Sequence, residues 1–294
     1  MPRPEPDLRR TWLFGPGADP AAHDSMFESG ASVLIVDLED FTPPERRDEA
    51  REYLSGFVAR CREHGYMAAV RINQMEKAGM HDLDAAMKTR PDAIVYPMAE
   101  QPQQIHELDT AIAQCEATLN INQGSTEIVP VCETALGVVN VRLMAAASPR
   151  IRCAILGSED LAADLCAERG PDAEELDYAR RRFILECRAG RIEPVDAPYT
   201  YNDPDGARRE AEFSRRLGYR SKSLVRPDHT EALNRVFTPD PAELGHAREI
   251  VAAFEAARKR GEDRVLVTGL WVEVPSYRNA RRIIDRAIRL GISK

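Results

Sequence analysis

Two carboxylates stand where short apolar runs of the sequence end. Glu133 follows the run at 128–132, and Asp160 lies just beyond the run at 153–156. A helix-like segment follows each acid, so we expect both at the carboxyl ends of strands, where parallel α/β folds build their active sites. Two hard oxygen ligands on neighbouring strand ends suit Mg²⁺ or Mn²⁺, which keep water or substrate oxygens in their other positions. Either acid alone could instead cap a helix or lie in a solvated loop, but the pair predicts a divalent metal site.

Three further acids cluster in the loop after the second apolar run, namely Asp37, Glu39 and Asp40. Crowded carboxylates raise one another's pKa unless a cation lies close by. We therefore expect Glu39 and Asp40 to take part in catalysis beside the metal pair, by orienting metal-bound waters or neighbouring arginines. The alternative is that these acids cap a helix and add surface charge.

Arg71 ends the third apolar run, where a bulky cation has few structural reasons to be. Its planar guanidinium suits bidentate binding of a substrate carboxylate. An ion pair with Asp37 or Glu39 would also explain it, and the two roles can coexist. Arg10, just before the first run, is a weaker candidate for substrate binding because Arg9 and Arg10 also resemble a solvated basic end.

The turn that contains Gly15 and Pro16 completes the substrate-binding candidates. Glycine allows a tight turn there, but the glycine spacings of P-loops and Rossmann folds are absent, so the turn alone is weak evidence of a phosphate site. Lys222 could form a Schiff base, although a structural or anion-holding role is favoured beside a metal pair. The six histidines show no spacing typical of metal ligands.

Composition limits the class of protein. The chain has 294 residues, 43% of them hydrophobic, and a net charge of −8, which argues against binding to nucleic acid or to an anionic membrane surface. Its six cysteines contain no C-x-x-C pair, a pattern typical of reduced, mostly buried thiols. The polar, proline-rich start does not resemble a signal peptide, and no apolar run approaches membrane-spanning length. We expect a soluble cytoplasmic protein.

Short apolar runs alternate with amphipathic segments along most of the chain. The predicted strands are 11–14, 33–38, 68–72, 93–96, 128–132, 153–156, 192–197 and 222–225. The predicted helices are 20–29, 45–64, 82–90, 103–118, 135–147, 171–189, 205–217 and 228–236. Such short apolar runs are typical of strands covered on both faces. Eight β-α pairs therefore predict an α/β fold, a TIM (β/α)8 barrel, over residues 1–236.

A C-terminal helical extension is predicted over residues 237–294. A long helix is expected at 239–260, because Pro-Asp-Pro opens it and apolar residues recur at helical spacing. A short apolar run at 265–274 leads into a last, basic helix at 276–290. The extension could cap its own barrel or complete the site of a neighbouring subunit.

Several motifs, in order along the chain, resemble the citrate lyase β-subunit-like family, which includes malyl-CoA and citramalyl-CoA lyases among the metal-dependent 2-keto-acid aldolases. The motifs are RTWLFGPG (10–17), DLED (37–40), VRIN (70–73), PDAIVYPMAE (91–100), CETALGV (132–138), GSEDLAADL (157–165) and FTPDPAELGHAREIVAAFEAA (237–257). The resemblance implies a homotrimeric or hexameric assembly of TIM barrels. It also implies that the C-terminal segment contributes to an adjacent subunit's site.

The resemblance also assigns roles to residues. It makes Glu133 and Asp160 the Mg²⁺ ligands and Arg71 the group that binds the substrate's carboxylate and developing oxyanion. Glu39 and Asp40 match acids that lie beside the metal ligands. The implied chemistry is reversible, aldol-type carbon–carbon cleavage, in which the metal chelates an α-keto or α-hydroxy acid and an enolate leaves or attacks.

Some positions depart from the family's pattern. The basic residues that help to hold CoA phosphates are replaced at 18–24, Met98 stands where lysine is usual, and Arg226 where histidine is usual. The catalytic acid/base aspartate appears as Glu273, one methylene longer, and such a displacement can cost orders of magnitude in rate.

The leading hypothesis is a Mg²⁺-dependent carbon–carbon lyase that acts on a short hydroxy- or keto-dicarboxylic acid or its CoA thioester. In it, Glu273 of a neighbouring chain carries the proton. Two alternatives stay open: an acyl-CoA thioesterase that uses the same metal site, and a catalytically diverged keto-acid-binding protein.

Overall fold

The computed structural model describes residues 3–292 and contains eight parallel strands that form one sheet. They are β1 (Thr11–Pro16), β2 (Val33–Asp37), β3 (Met67–Arg71), β4 (Ala93–Tyr96), β5 (Glu127–Cys132), β6 (Cys153–Leu156), β7 (Glu193–Val195) and β8 (Lys222–Leu224). Consecutive strands pair from β1 to β7, and β1 also pairs with β8. A bridge between Asp196 and Lys222 joins the end of β7 to β8. The sheet thus closes into the predicted (β/α)8 barrel.

The core of the barrel is filled by alternate residues of the strands. Trp12 and Phe14 of β1, Val33 and Ile35 of β2, and Val129 of β5 all belong to one buried apolar cluster. Successive side chains of a strand point to opposite faces, so residues two apart share the barrel interior. The residues between them, such as those that face the helices, are buried as well. Burial on both faces explains why the strand segments read as continuous apolar runs.

Helices alternate with the strands. In the barrel they are α1 (Pro20–Glu28), α2 (Arg47–His64), α3 (Met80–Thr89), α4 (Pro102–Thr118), α5 (Ala135–Ala147), α6 (Glu159–Asp164), α7 (Asp177–Ala189), α8 (Pro204–Leu217) and α9 (Thr230–Val236). The predicted helix at 171–189 begins only at Asp177, and the short α6 precedes it as a separate helix. Cys166 and Ala173, both at a φ of +54°, interrupt the helical path between α6 and α7.

A buried ion pair occupies the amino-terminal end of the barrel. The guanidinium of Arg9 donates to both carboxylate oxygens of Glu127, at 2.6 and 2.8 Å, and its side chain is fully buried. Arg9 is therefore not part of a solvated basic end, as one alternative had supposed. The sequence could not show this because the two residues are 118 positions apart.

A second buried cluster joins the strands on either side of the β7–β8 seam. Lys222 Nζ lies 2.8 Å from Asp196 and 2.6 Å from Glu210, and Arg180 lies 2.6 Å from Asp196. The hydroxyl of Ser214 completes the network with Arg180. Lys222 is fully enclosed by these ion pairs, so the structure gives it the structural role and not that of a Schiff-base lysine.

The described chain divides into two compact units between Arg235 and Val236. The second contains α10 (Pro241–Lys259), the antiparallel strands β9 (Val265–Val267) and β10 (Leu270–Val272), and α11 (Val274–Arg289). The predicted apolar run at 265–274 is thus a hairpin. Thr268 and Gly269, at φ values of +47° and +83°, form its two-residue turn. Phe254 stacks on Tyr277 at 4.9 Å and packs with Val267 and Val272 in a small core.

Within residues 3–292, none of the helices combines the length and the apolar character needed to cross a membrane.

Candidate active site

A cavity of about 120 Å³ lies where the carboxyl ends of the barrel strands meet. Its charged lining residues are Asp40, Arg71, Glu133, Glu159 and Asp160, and its apolar wall includes Phe14, Phe41, Val131, Ile155 and Val225. Four of the predicted site residues therefore share one cavity. Glu159 and Phe41 were not singled out from the sequence, although each is adjacent in the chain to a predicted acid.

Glu133 is the most buried acid of the cavity. It follows β5 directly, and only 4% of its surface is exposed. Thr134 caps α5 by accepting the amide N–H of Gly137 at 3.1 Å. Glu133 therefore lies between the end of β5 and the cap of α5. Burial, only partly offset by the amide of Met98 and by Arg71, raises the pKa of Glu133 to about 8. Glu39 and Asp160 raise it further by charge repulsion.

Two backbone features hold the Glu133 carboxylate. Met98, with a left-handed φ of +50°, donates its N–H to Glu133 Oε1 at 2.7 Å. Gly157, after β6, lies so close that a Cβ there would be 2.5 Å from Glu133 Cβ and 2.8 Å from Oε2. Glycine is therefore required at 157 for this carboxylate to keep its position. Gly157 belongs to one of the sequence motifs, but only the structure shows its contact with Glu133.

Asp160 is the second residue of α6 and is more exposed than Glu133. Burial and the neighbouring charge of Asp40 raise the pKa of Asp160 above its ordinary value, although Arg71 opposes the shift. Neither Glu133 nor Asp160 forms a salt bridge in the part of the chain that the structure describes. Both acids thus face the cavity without a bonded cation.

Arg71 is surrounded by three acids. Its Nε donates to Asp37 at 2.8 Å and its Nη2 also bonds that carboxylate, while Nη1 lies 2.9 Å from Glu39 and 3.3 Å from Asp40. Phe14 packs against the guanidinium, with 5.1 Å between Cζ and the ring centroid. Burial by itself would lower the pKa of Arg71, but the acids raise it above its ordinary value. Arg71 therefore forms ion pairs with Asp37 and Glu39 and also lines the cavity.

The pKa of Glu39 responds to burial and to these neighbouring charges. Its side chain is mostly buried, and burial raises its pKa to about 7 against the opposing charge of Arg71. Asp40, Asp37 and Asp160 each raise it further. A cation placed near these groups would favour their ionised forms.

The donor set fits a hard divalent ion. Residues 3–292 include no group of three or more His, Cys, Asp or Glu side chains arranged to hold a metal. The two predicted ligands, Glu133 and Asp160, share the cavity and repel each other. Two acids without a bonded cation suit Mg²⁺, which is commonly bound through one or two carboxylates with waters or substrate oxygens at its other positions. Softer metals that prefer sulfur or imidazole do not match this set.

The other site residues predicted from the sequence do not line the cavity. Arg10 precedes β1, at the amino-terminal end of the barrel, and it is not among the residues that line the cavity. Gly15 and Pro16 are at the correct end of β1 but do not line the cavity; Pro16 instead accepts a hydrogen bond from His23 Nε2 at 2.8 Å. Glu273 belongs to the second unit, where it precedes α11 with an exposed side chain.

Comparisons with known proteins identify the family of the chain. The family model described as HpcH/HpaI aldolase/citrate lyase matches residues 10–227. Citrate lyase subunit beta of Leuconostoc mesenteroides is 34% identical, over 95% of this chain and 93% of its own. The L-malyl-CoA/beta-methylmalyl-CoA lyase of Cereibacter sphaeroides is 30% identical, over 98% and 97%.

Among solved structures, the protein CitE of Mycobacterium tuberculosis in complex with magnesium, acetoacetate and coenzyme A is similar at 25% identity. Its TM-score is 0.77, with 95% of this chain and 97% of that chain covered. A citrate lyase of Burkholderia xenovorans gives a TM-score of 0.84 at 18% identity, which is a likeness of fold.

Proposed function

This chain belongs to the HpcH/HpaI aldolase/citrate lyase family, and we propose that it is a Mg²⁺-dependent carbon–carbon lyase. Its substrate would be a short hydroxy- or keto-dicarboxylic acid or the CoA thioester of one. The observation that carries the proposal is the cavity at the strand ends, where Glu133 and Asp160 lack a bonded cation beside the guanidinium of Arg71.

Glu133 and Asp160 would hold the metal, with Mn²⁺ as the alternative to Mg²⁺. When bound, the ion would polarise the oxygen of a keto or hydroxy acid and stabilise the negative charge that develops as the carbon–carbon bond breaks. Met98 and Gly157 keep the Glu133 carboxylate in place before any ligand arrives, so less ordering is needed on binding.

Arg71 would bind the substrate's carboxylate through Nη1. Asp37 occupies Nε and Nη2 and thereby fixes the plane of the guanidinium, so only the edge near Glu39 and Asp40 can turn to a ligand. The substrate carboxylate would compete there with those two acids. Glu39 and Asp40 would in this way set the orientation of both the arginine and the substrate.

Glu273 would supply the acid/base group from a neighbouring subunit of a homotrimer or hexamer. The hairpin that precedes it exposes Leu266, Leu270 and Trp271, with 56%, 68% and 57% of their surfaces accessible. Exposed apolar patches of this kind mark protein interfaces. A hairpin docked on a partner would carry Glu273, which follows β10 directly, to that partner's surface.

The proposal is tested first by ligand binding. The melting temperature would be measured with Mg²⁺, keto acids and acyl-CoAs, singly and in pairs, because ligands of the folded state raise it. Products of the stabilising pairs would then be analysed. Shortened carbon skeletons support the lyase, free CoA with an intact acyl skeleton supports the thioesterase, and stabilisation without turnover supports a diverged binding protein.

Site variants test the metal. Glu133→Gln and Asp160→Asn should each abolish Mn²⁺ binding in calorimetry and cleavage of the substrate. Glu159→Gln is the matched control, because Glu159 lines the same cavity but bonds Thr200 at 3.0 Å and Arg169 at 3.2 Å. Its Mn²⁺ affinity should stay close to that of the wild type. Cleavage that persists after complete removal of divalent ions would overturn the mechanism.

A further inference from the structure

A second cavity lies at the opposite end of the barrel. Its volume is about 240 Å³, and it is lined by Arg3, Arg62, Arg90 and Asp92, with Tyr66 and Met67 among its other walls. Met67 begins β3 and Asp92 directly precedes β4, so this cavity opens at the amino-terminal ends of the strands. It is therefore separate from the acidic cavity at the carboxyl-terminal ends.

The charges around this cavity do not balance. Asp92 is already bonded, since it accepts from Arg3 Nε at 2.5 Å and from the amide of Ala68 at 2.9 Å. Arg62 and Arg90 form no salt bridge with any acid of the described chain. The lining thus has one compensated carboxylate and two guanidiniums without an anionic partner.

The side chains of Arg62 and Arg90 form hydrogen bonds only to neutral backbone carbonyls of the described chain. Arg62 Nη2 lies 3.4 Å from the carbonyl oxygen of Arg90 and 3.5 Å from that of Thr89, at the end of α3. Arg90 Nη2 lies 3.3 Å from the carbonyl oxygen of Leu119, after α4. These bonds are long and use one nitrogen of each fork, so most of the donors remain available to a ligand.

We propose that this cavity binds a small oxyanion of the phosphate type, either free phosphate or the phosphate of a small monoester. Two arginine forks match the charge and the several acceptor oxygens of a phosphate dianion better than those of a monovalent ion. The volume admits a phosphate with a short substituent. The position, remote from Glu133 and Asp160, makes the ligand an effector and not a substrate of the proposed lyase.

The test is calorimetric titration with inorganic phosphate, at constant ionic strength kept by sodium chloride. The wild type should show saturable binding at one site per chain. Arg62→Gln/Arg90→Gln should weaken it at least tenfold, because glutamine keeps an amide donor toward the helix-end carbonyls but removes both charges. Arg216→Gln/Arg235→Gln is the matched control, with the same change in net charge at exposed helix positions outside the cavity, and it should bind like the wild type.

A second titration separates the sources of the phosphate. Glycerol phosphate that binds more tightly than inorganic phosphate identifies a monoester site, and equal or weaker binding identifies a site for the free ion. Circular dichroism of the double variants checks that they fold, and single Arg62→Lys or Arg90→Lys exchanges, which keep the charge, should retain most of the affinity. Absence of saturable binding in the wild type, or equal losses in the two double variants, would overturn the proposal.

Discussion

Two clusters of charge in the barrel, one buried and one partly exposed, differ in the balance of cations and anions. At the β7–β8 seam, Arg180 and Lys222 face Asp196 and Glu210, so two cations meet two anions. At the strand ends, Arg71 pairs with three acids, Asp37, Glu39 and Asp40. Two more acids, Glu133 and Asp160, line the same cavity as Arg71.

The pKa shifts follow that difference. Burial would raise the pKa of Asp196, but Arg180 and Lys222 hold it well below its ordinary value. The pKa of Glu133 and of Glu39, in contrast, is raised to about 8 and about 7. A balanced cluster stabilises the fold, whereas an excess of buried carboxylates costs stability until a cation arrives.

The largest expected effect comes from unbalancing the seam. Lys222→Met should destabilise the protein by roughly 3–5 kcal/mol, because it leaves Asp196 and Glu210 buried with one cation. Urea unfolding measures the loss. Lys88→Met is the control, since the Lys88–Asp84 pair is exposed and worth at most about 1 kcal/mol. Equal losses in the two variants would contradict the assignment of the seam as a structural cluster.

The seam should also control stability at low pH. The pKa of Asp196 is lower in the folded than in the unfolded state. Its contribution to the free energy of unfolding is therefore complete above the unfolded pKa of about 3.9. It is lost as the pH falls from there toward the folded pKa. The free energy of unfolding, measured with urea from about pH 6 down to the acid limit of folding, should decline steeply at low pH. Asp196→Asn should make this decline less steep. Asp48→Asn, at a 97% exposed side chain, should leave the slope unchanged.

In the cavity, removal of a charged group should increase the free energy of unfolding. Glu133→Gln should stabilise the metal-free protein at neutral pH by about 1–3 kcal/mol, because it removes a carboxylate whose ionised form burial disfavours. The same variant should lose the rise in melting temperature that Mg²⁺ gives the wild type. A variant that is less stable than the metal-free wild type, or that still responds to Mg²⁺, would contradict the comparison.

A further variant tests the position of the Glu133 carboxylate. Gly157→Ala should displace Glu133 and weaken Mn²⁺ binding at least tenfold, at a cost of about 1–3 kcal/mol in stability. Gly245→Ala, in α10 with open space around the added Cβ, is the control and should be neutral or stabilise by about 0.5–1 kcal/mol. Unchanged Mn²⁺ affinity in Gly157→Ala would show that the carboxylate is not positioned by this contact.

Local pattern was enough to predict the strands of the barrel and the end of the barrel where acids such as Glu133 and Asp160 would lie. Burial on both faces makes each strand a short apolar run, and parallel strands bring the residues that follow them to one end. The roles of those acids, and that of Glu273, remain predictions. Arg10 directly precedes a parallel strand, so the fold places it at the other end of the barrel.

The partners of the buried charges were decided by the tertiary structure alone. Arg9 pairs with Glu127, and Lys222 with Asp196 and Glu210, across long stretches of chain. Whether a charge is compensated depends on which side chains the closed barrel brings within a few ångströms, and hydrophobic periodicity contains no information about such distances. For the same reason no sequence pattern singled out Arg62 and Arg90, which the fold places at one cavity.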